Sequence, residues 1–292
     1  MHSYLRAIGF SEIEKRSDLN SLFDLIIEES SNVKTTKHNS RNVVISEISM
    51  EFAQDMGITI RGELDKENMF HLDHYFPYIR GSNKSVEEKI YFSKKVDSDA
   101  YTGLCEEYRL GVSLIFYLQN VIDYIKNRKA SNKVPLPIKL SALSTEGKII
   151  LPIKTSEKQV KNLSIDKKYR NDLIAEAKKG NQEAIDNLTF DDIDTYALVS
   201  RRAKTEDLYT IVDTSFIPYG SETDNYTIMG KIIRCNLVKN SYTNEEIYDM
   251  DVLCSDIILR VCINKSDLFG EPKEGRRFKG VTWLQGHVDF TP

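Results

Sequence analysis

The chain has 292 residues, of which 40% are hydrophobic and 29% charged, with a formal net charge of −4. That composition excludes a disordered chain and allows two domains. The small acidic excess argues against a dedicated duplex-binding protein, which carries strong positive charge. Fifteen Tyr and twelve Phe against seven Pro favour many strands. The start, MHSYLRAIGFSEIEK, has no apolar core of signal-peptide length, and the apolar stretch LGVSLIFYLQNVIDYI is interrupted by Ser113, Gln119, Asn120 and Asp123. A cytoplasmic location without a membrane span is expected. The four cysteines, Cys105, Cys235, Cys254 and Cys262, form no C-x-x-C and are expected as buried free thiols rather than a zinc site.

In chain order, Ser3 reads as the cap of a short first helix that Gly9 stops. A helix over about 17–29 follows, with Leu19, Leu22, Phe23, Ile26 and Ile27 as one buried stripe. SSNVKTTKHNS reads as a loop. From 42 to about 153 short β-branched and aromatic runs predict strands: VVISEISM, ITIRGEL, MFHLDHYFPYI, EEYRLGVSLIFYLQN, and PIKLSAL with KIILPI across an STEGK turn. NVIDYIKN is a helical turn among them. YRNDLIAEAKKG, QEAIDNL and TFDDIDTYALVSRRAK predict three helices, the first ended by Gly180 and the third opened by a Thr189/Asp192 capping box. After 206 five strands are predicted: DLYTIVDTSFI, YTIMGKIIRCNLV, EIYDMDVLC, a half-buried DIILRVCIN, and FKGVTWLQGHVDF. The expected fold is α+β: an N-terminal α+β domain over 1–160 with a largely antiparallel sheet, a helical bridge over 161–205, and a C-terminal β-barrel-like domain over 206–292. Five strands in so short a stretch suit a small barrel of the OB type, an SH3-like barrel or an open meander being the alternatives.

MHSYLRAIGFS, EEYRLGVSLIFYLQN, LTFDDIDTYALVSRR, VDTSFIPYG and FGEPKEGRRFKGVTWLQGHVDF together resemble an uncharacterised family of clostridial proteins, filed as a domain of unknown function. The resemblance spans nearly the whole chain and implies a bacterial cytosolic protein. It brings no activity, ligand or catalytic residue.

HLDH, residues 71–74, offers His71, Asp73 and His74. On a strand His71 and Asp73 face one way and His74 the other, so a His71–Asp73 hydrogen-bonded pair outweighs a metal or acid–base site. Asp191, Asp192 and Asp194 read as first-turn helix acids rather than a magnesium site. GEPKEGRR has glycines 270 and 275 at P-loop spacing, but Arg276 and Arg277 stand where Lys and Ser/Thr are required, so it reads as a turn. No catalytic motif, metal set or cofactor signature is found.

GRRFKGVTWLQGHVDF carries the only tryptophan behind a basic cluster. Phe278, Gly280, Thr282, Leu284, Gly286, Val288 and Phe290 alternate onto a core face with glycines where strands crowd. Lys279, Val281, Trp283, Gln285, His287 and Asp289 alternate onto the other. An exposed Trp283 would make a stacking platform. A bulge at Gly280 or Gly286, or a covering domain, would make it a buried anchor, and that reading carries more weight. Residues 206–292 hold nine Lys/Arg against fourteen Asp/Glu, a net of −5, which disfavours general nucleic-acid binding. The expected function is that of a non-catalytic binding or adaptor protein. Its partner, a protein or single-stranded nucleic acid, meets Arg276, Arg277, Lys279, Trp283, Gln285 and His287. The alternatives are an enzyme with a site around His71 and Asp73, and a structural or oligomeric subunit.

Overall fold

The computed structural model describes residues 3–37, 43–95, 100–127, 134–153, 157–221 and 223–290, with backbone alone for 157–165 and 167. A 3-10 turn, Ser3–Ile8, opens the chain and Gly9, at φ 85°, ends it. Helix α1, Arg16–Glu29, buries Leu19, Leu22, Phe23 and Ile26, whereas Ile27 at the edge of the stripe stays exposed. Four strands then form an antiparallel sheet in chain order: β1 (Asn32–Lys37), β2 (Val44–Ala53), β3 (Met56–Leu64) and β4 (Phe70–Ile79). β1 corrects the loop expected at SSNVKTTKHNS. Its polar side chains gave no apolar alternation, because it is an exposed edge strand paired to β2 through its backbone. The end of that expected loop lies outside the described residues.

The second sheet has eleven strands. β5 (Val86–Glu88), β6 (Tyr91–Lys94), β7 (Tyr101–Glu107) and β8 (Val112–Leu118) precede the short helix α2 (Val121–Asn127). EEYRLGVSLIFYLQN is a hairpin rather than one strand, turning at Gly111 with φ 66°. β9, Leu136–Ile150, passes straight through the STEGK segment expected to turn, because β15 and the short β14 pair with it there. Helix α3 (Glu157–Lys178) and helix α4 (Gln182–Arg202) form the helical unit, with Gly180 at φ 85° between them. The second and third expected helices are one: Asn181 is the N-cap of α4, and the Thr189 hydroxyl donates to Ile185 O inside it at 2.9 Å instead of capping. DLYTIVDTSFI splits into a helical turn, α5 (Leu208–Ile211), capped by Asp207, and an edge strand, β10 (Ser215–Pro218).

β11 (Asn225–Lys239), β12 (Glu246–Cys254) and β13 (Ile257–Asn264) form an antiparallel meander, followed by β14 (Leu268–Phe269) and β15 (Arg277–Val288). β13 pairs in parallel with β9, β9 pairs antiparallel with β15, and β15 pairs antiparallel with β11. The strands β11, β12, β13, β9 and β15 therefore close a ring. Four come from beyond residue 206, and the fifth, β9, comes from the segment expected to belong to the first domain. β13 is buried along almost its whole length rather than half-buried, since both of its faces pack.

One core lies on the side of this sheet formed by Leu140, Ile228, Met250, Val261, Phe278 and Leu284, among others. A second core lies on the opposite side, where the N-terminal turn, α1 and the four-stranded sheet meet Leu143, Ile247, Cys262 and Trp283. Phe116 and Phe278 wedge where strands crowd. A Cβ on Gly103 or Gly286 would come within 2.3 or 2.4 Å of the Phe116 ring, and one on Gly147 or Gly280 within 2.6 or 2.5 Å of the Phe278 ring. Buried ion pairs tie the layers. Arg260 bonds Asp249 and Asp55 and donates to Arg80 O, linking β13 to the β2–β3 turn and the end of β4. Fully buried Arg61 bonds Glu47 at 2.7 Å and lies over Phe76.

Candidate binding surface

The six residues expected at the C-terminal surface separate into three places along β15. Trp283 and Gln285 are inside. The indole is 5% exposed, stacks on Tyr4 with centroids 5.6 Å apart, meets Tyr117 at 4.9 Å, and donates from Nε1 to Asp224 Oδ2 at 3.0 Å. The alternation of β15 holds: Phe278 and Leu284 point to one core and Trp283 to the other. A register shift against β9 falls at Val281/Thr282, next to Gly280. What buries the indole is the N-terminal part of the chain folded over that face. Gln285, fully buried, accepts from Gln119 Nε2 at 2.8 Å and donates to Pro77 O at 2.8 Å, joining the two sheets.

His287 sits at the far end of β15, beside a polar cleft of about 50 Å³ with Lys34, Glu47, Arg80 and Gln119. Burial pushes the imidazole down to about 4. Asp123 opposes this, and Lys34, Lys139 and Arg80 add to it.

Arg276, Arg277 and Lys279 lie at the start of β15. Arg276 donates to Glu271 O at 2.7 Å and closes the turn whose Gly270 and Gly275 have positive φ. Arg277 is 2% exposed, and its guanidinium is spent on backbone carbonyls: Leu151 O at 2.7 Å, Tyr209 O at 2.7 Å and Val212 O at 2.8 Å. It fastens α5 and the end of β9 onto β15, which positions Tyr209. Lys279 then reaches the Tyr209 hydroxyl at 3.0 Å, and the ammonium groups of Lys148 and Lys279 lie 4.9 and 5.0 Å from the Tyr209 ring centre. Hydrogen bonds from Lys148 and Lys279 pull the phenol below its usual range, against a smaller opposing effect of burial.

Beside this stack is an open hollow of about 370 Å³ over β9, β11 and β15, lined by Glu146, Lys148, Thr227, Phe269, Lys279 and Val281. Gly147 and Gly280 face each other across the β9–β15 pairing and form part of its floor. Phe269, on β14 opposite Lys148, is 82% exposed. The hollow thus joins two cations, with Glu146 as the one carboxylate of its lining, an aromatic plate and an apolar rim. It suits an anionic group attached to an apolar body.

Of the residues around the hollow, sequence reasoning identified Lys279 and missed Lys148, Tyr209, Thr227 and Phe269. Lys148 lay in the supposed STEGK turn and Tyr209 in a supposed strand. Phe269, beside the Gly270 turn, was the one available signal: an aromatic next to a Pro- and Gly-bearing turn.

The HLDH segment is built differently from expectation. A bulge opposite Arg61/Gly62 breaks the alternation of β4. His71 Nε2 meets Asp65 at 2.8 Å, not Asp73, and Asp73 meets His74 Nδ1 at 2.7 Å. His74 Nε2 lies 3.2 Å from both Tyr117 Oη and Arg61 Nη1. His71 lines neither hollow. Asp192 accepts from Arg170 at 2.8 Å. Among the described residues no three His, Cys, Asp or Glu converge as a metal site requires, and no helix is long and apolar enough to cross a membrane. The four cysteines are free; Cys105, Cys254 and Cys262 are buried and Cys235 is half-buried.

A family of unknown function, DUF3881, described from an E. rectale gene, matches residues 5–286. The chain belongs to this family. No curated protein and no solved structure matches it. The family match spans both sheets, the helical unit and the hollow, and attaches no activity to any of them.

Proposed function

We propose that this member of the family is a non-catalytic binding or adaptor protein, whose partner surface is the hollow over β9, β11 and β15. The observation that carries the proposal is Phe269. It is a phenyl ring left 82% exposed beside two lysines held in place by Tyr209. An isolated exposed phenylalanine is ordinary, but one on the rim of a hollow with oriented cations has the make-up of a contact residue. The partner is a protein segment that presents a carboxylate beside an apolar side chain. The net charge of −5 over residues 206–292 weighs against a phosphodiester chain, whose affinity rests on many cationic contacts.

The ring of strands supports an OB-type reading of the C-terminal β-unit. Its five strands include a three-stranded meander and a single parallel pairing, with β9 completing the set from earlier in the chain. A cytosolic location is consistent with three buried, unpaired thiols.

The test is to pan a library of displayed peptides on the wild-type protein and on the Phe269→Ala/Lys279→Glu double variant, with Trp283 emission confirming that the variant is folded. Enrichment of acidic–aromatic peptides on the wild type alone supports the reading. Equal enrichment on both proteins overturns it. A parallel titration with mixed single-stranded oligonucleotide at low and high salt separates the nucleic-acid alternative: salt-sensitive binding that the variant loses would replace the protein partner with that one.

A further inference from the structure

Helix α4 has an apolar side that is turned away from the other described side chains. Phe190, Ile193 and Tyr196 are 64%, 57% and 76% exposed, and Ala197 is exposed as well. At 3.6 residues per turn these four fall within a sector of about 120°. The side turned toward α3 is a different one: Leu188 is buried, and Asp192 pairs with Arg170 at 2.8 Å. Several large apolar side chains exposed on one face of one helix mark an interaction surface rather than scattered surface residues.

Asp194 and Arg201 run along one edge of this side. They are seven residues apart, so they lie two turns from each other on one line. Both are exposed, and neither has an ion-pair partner among the described residues, whereas the adjacent Asp192 and Arg202 are engaged by Arg170 and Glu206.

We infer that this side of α4 is a homodimer interface, with α4 packed antiparallel on α4 of a second copy about a two-fold axis between Ala197 and Leu198. That rotation sets Asp194 opposite Arg201 of the second copy and Arg201 opposite its Asp194, so both charges are paired at once. Ala197, beside the axis, lets the helices approach closely, while Phe190, Ile193 and Tyr196 supply apolar area. The order of charges selects a second copy of this chain as the occupant, because an acid followed by a base two turns on complements its own reversed copy.

The experiment is sedimentation of the full chain over a concentration series. One helix pair lies at the small end of specific interfaces, so a dimer dissociating in about the micromolar range is expected. Ile193→Asp abolishes it. Asp194→Arg and Arg201→Asp, each alone, oppose like charges across the axis and weaken self-association by roughly tenfold or more. An equimolar mixture of these two variants restores a dimer, because one then carries two Arg and the other two Asp along the edge. All three positions are exposed, and Trp283 emission checks that each variant is folded. A chain monomeric up to about 100 μM, well above the range expected of so small an interface, overturns the proposal. So does a dimer indifferent to Ile193→Asp, or a variant mixture that stays monomeric.

Discussion

Trp283 and His287 lie on the same outward alternation of β15, and their surroundings decide what each does. Tyr4, Tyr117 and Asp224 close over the indole, so its N–H is satisfied and its rings are packed. His287 is partly buried beside a polar cleft, next to more cations than anions. Its titration gives a prediction. An unfolded imidazole takes its proton near pH 6.5, while in the folded chain protonation waits until about pH 4. Between these values the unfolded state binds more protons, so stability is full above about pH 6.5 and falls as the pH drops toward 4. The loss reaches up to about 3 kcal/mol. Urea midpoints at pH 7 and pH 5 for the wild type and His287→Gln measure it. The wild type should lose more stability on acidification than the variant, and equal losses would refute the assignment.

At the scale of elements, the long strands β9 and β15 are held by their glycines as much as by their apolar residues. Gly147 and Gly280 face each other in register, and the Phe278 ring fills the space that a side chain at either would need. Gly280→Ala would place a methyl 2.5 Å from Phe278 Cζ and 2.7 Å from Glu146 O. An overpacking cost of about 1–3 kcal/mol follows. Chemical denaturation should show it, with Phe278→Leu in the same chain recovering part of it, since the two positions share one contact. Full additivity of the two changes would mean that the ring and the glycine do not interact. The same pairing explains why STEGK is strand. A Gly between polar residues reads locally as a turn, but in the ring it is the residue that admits Phe278.

At the scale of the whole molecule, the ring draws β9 from residues 136–150 and the rest of its strands from beyond 206. The side that bears Trp283 is covered by Tyr4 and Tyr117, and Arg6 holds Asp267 across most of the chain length. A fragment of residues 206–292 would lack a ring strand and leave β13 and β15 with unpaired edges. It should show no cooperative unfolding, and its Trp283 should emit as in water, while the full chain emits to the blue. A folded fragment would show that β9 is dispensable. The helical unit adds little to either core: α4 leaves Phe190, Ile193 and Tyr196 exposed outside both.

The α+β class, α1, the Gly180 break, most strands and the alternation of β15 were determined by the sequence itself, because they rest on local periodicity and on turn residues whose conformational preferences are intrinsic. The basic turn at 276–279 was equally legible, and Lys279 does stand at the hollow. Tertiary structure decided the rest. A polar segment became β1 because a backbone edge was available to it. STEGK became strand because β15 lay beside it. Trp283 became core because residues more than 160 positions away fold over it, and Lys148, Tyr209 and Phe269 came together because β9, α5 and β14 meet at the start of β15. Local preferences are worth tenths of a kcal/mol to about 1 kcal/mol per residue, while pairing and burial across the chain are worth more. Where the two disagreed, the long-range contacts prevailed.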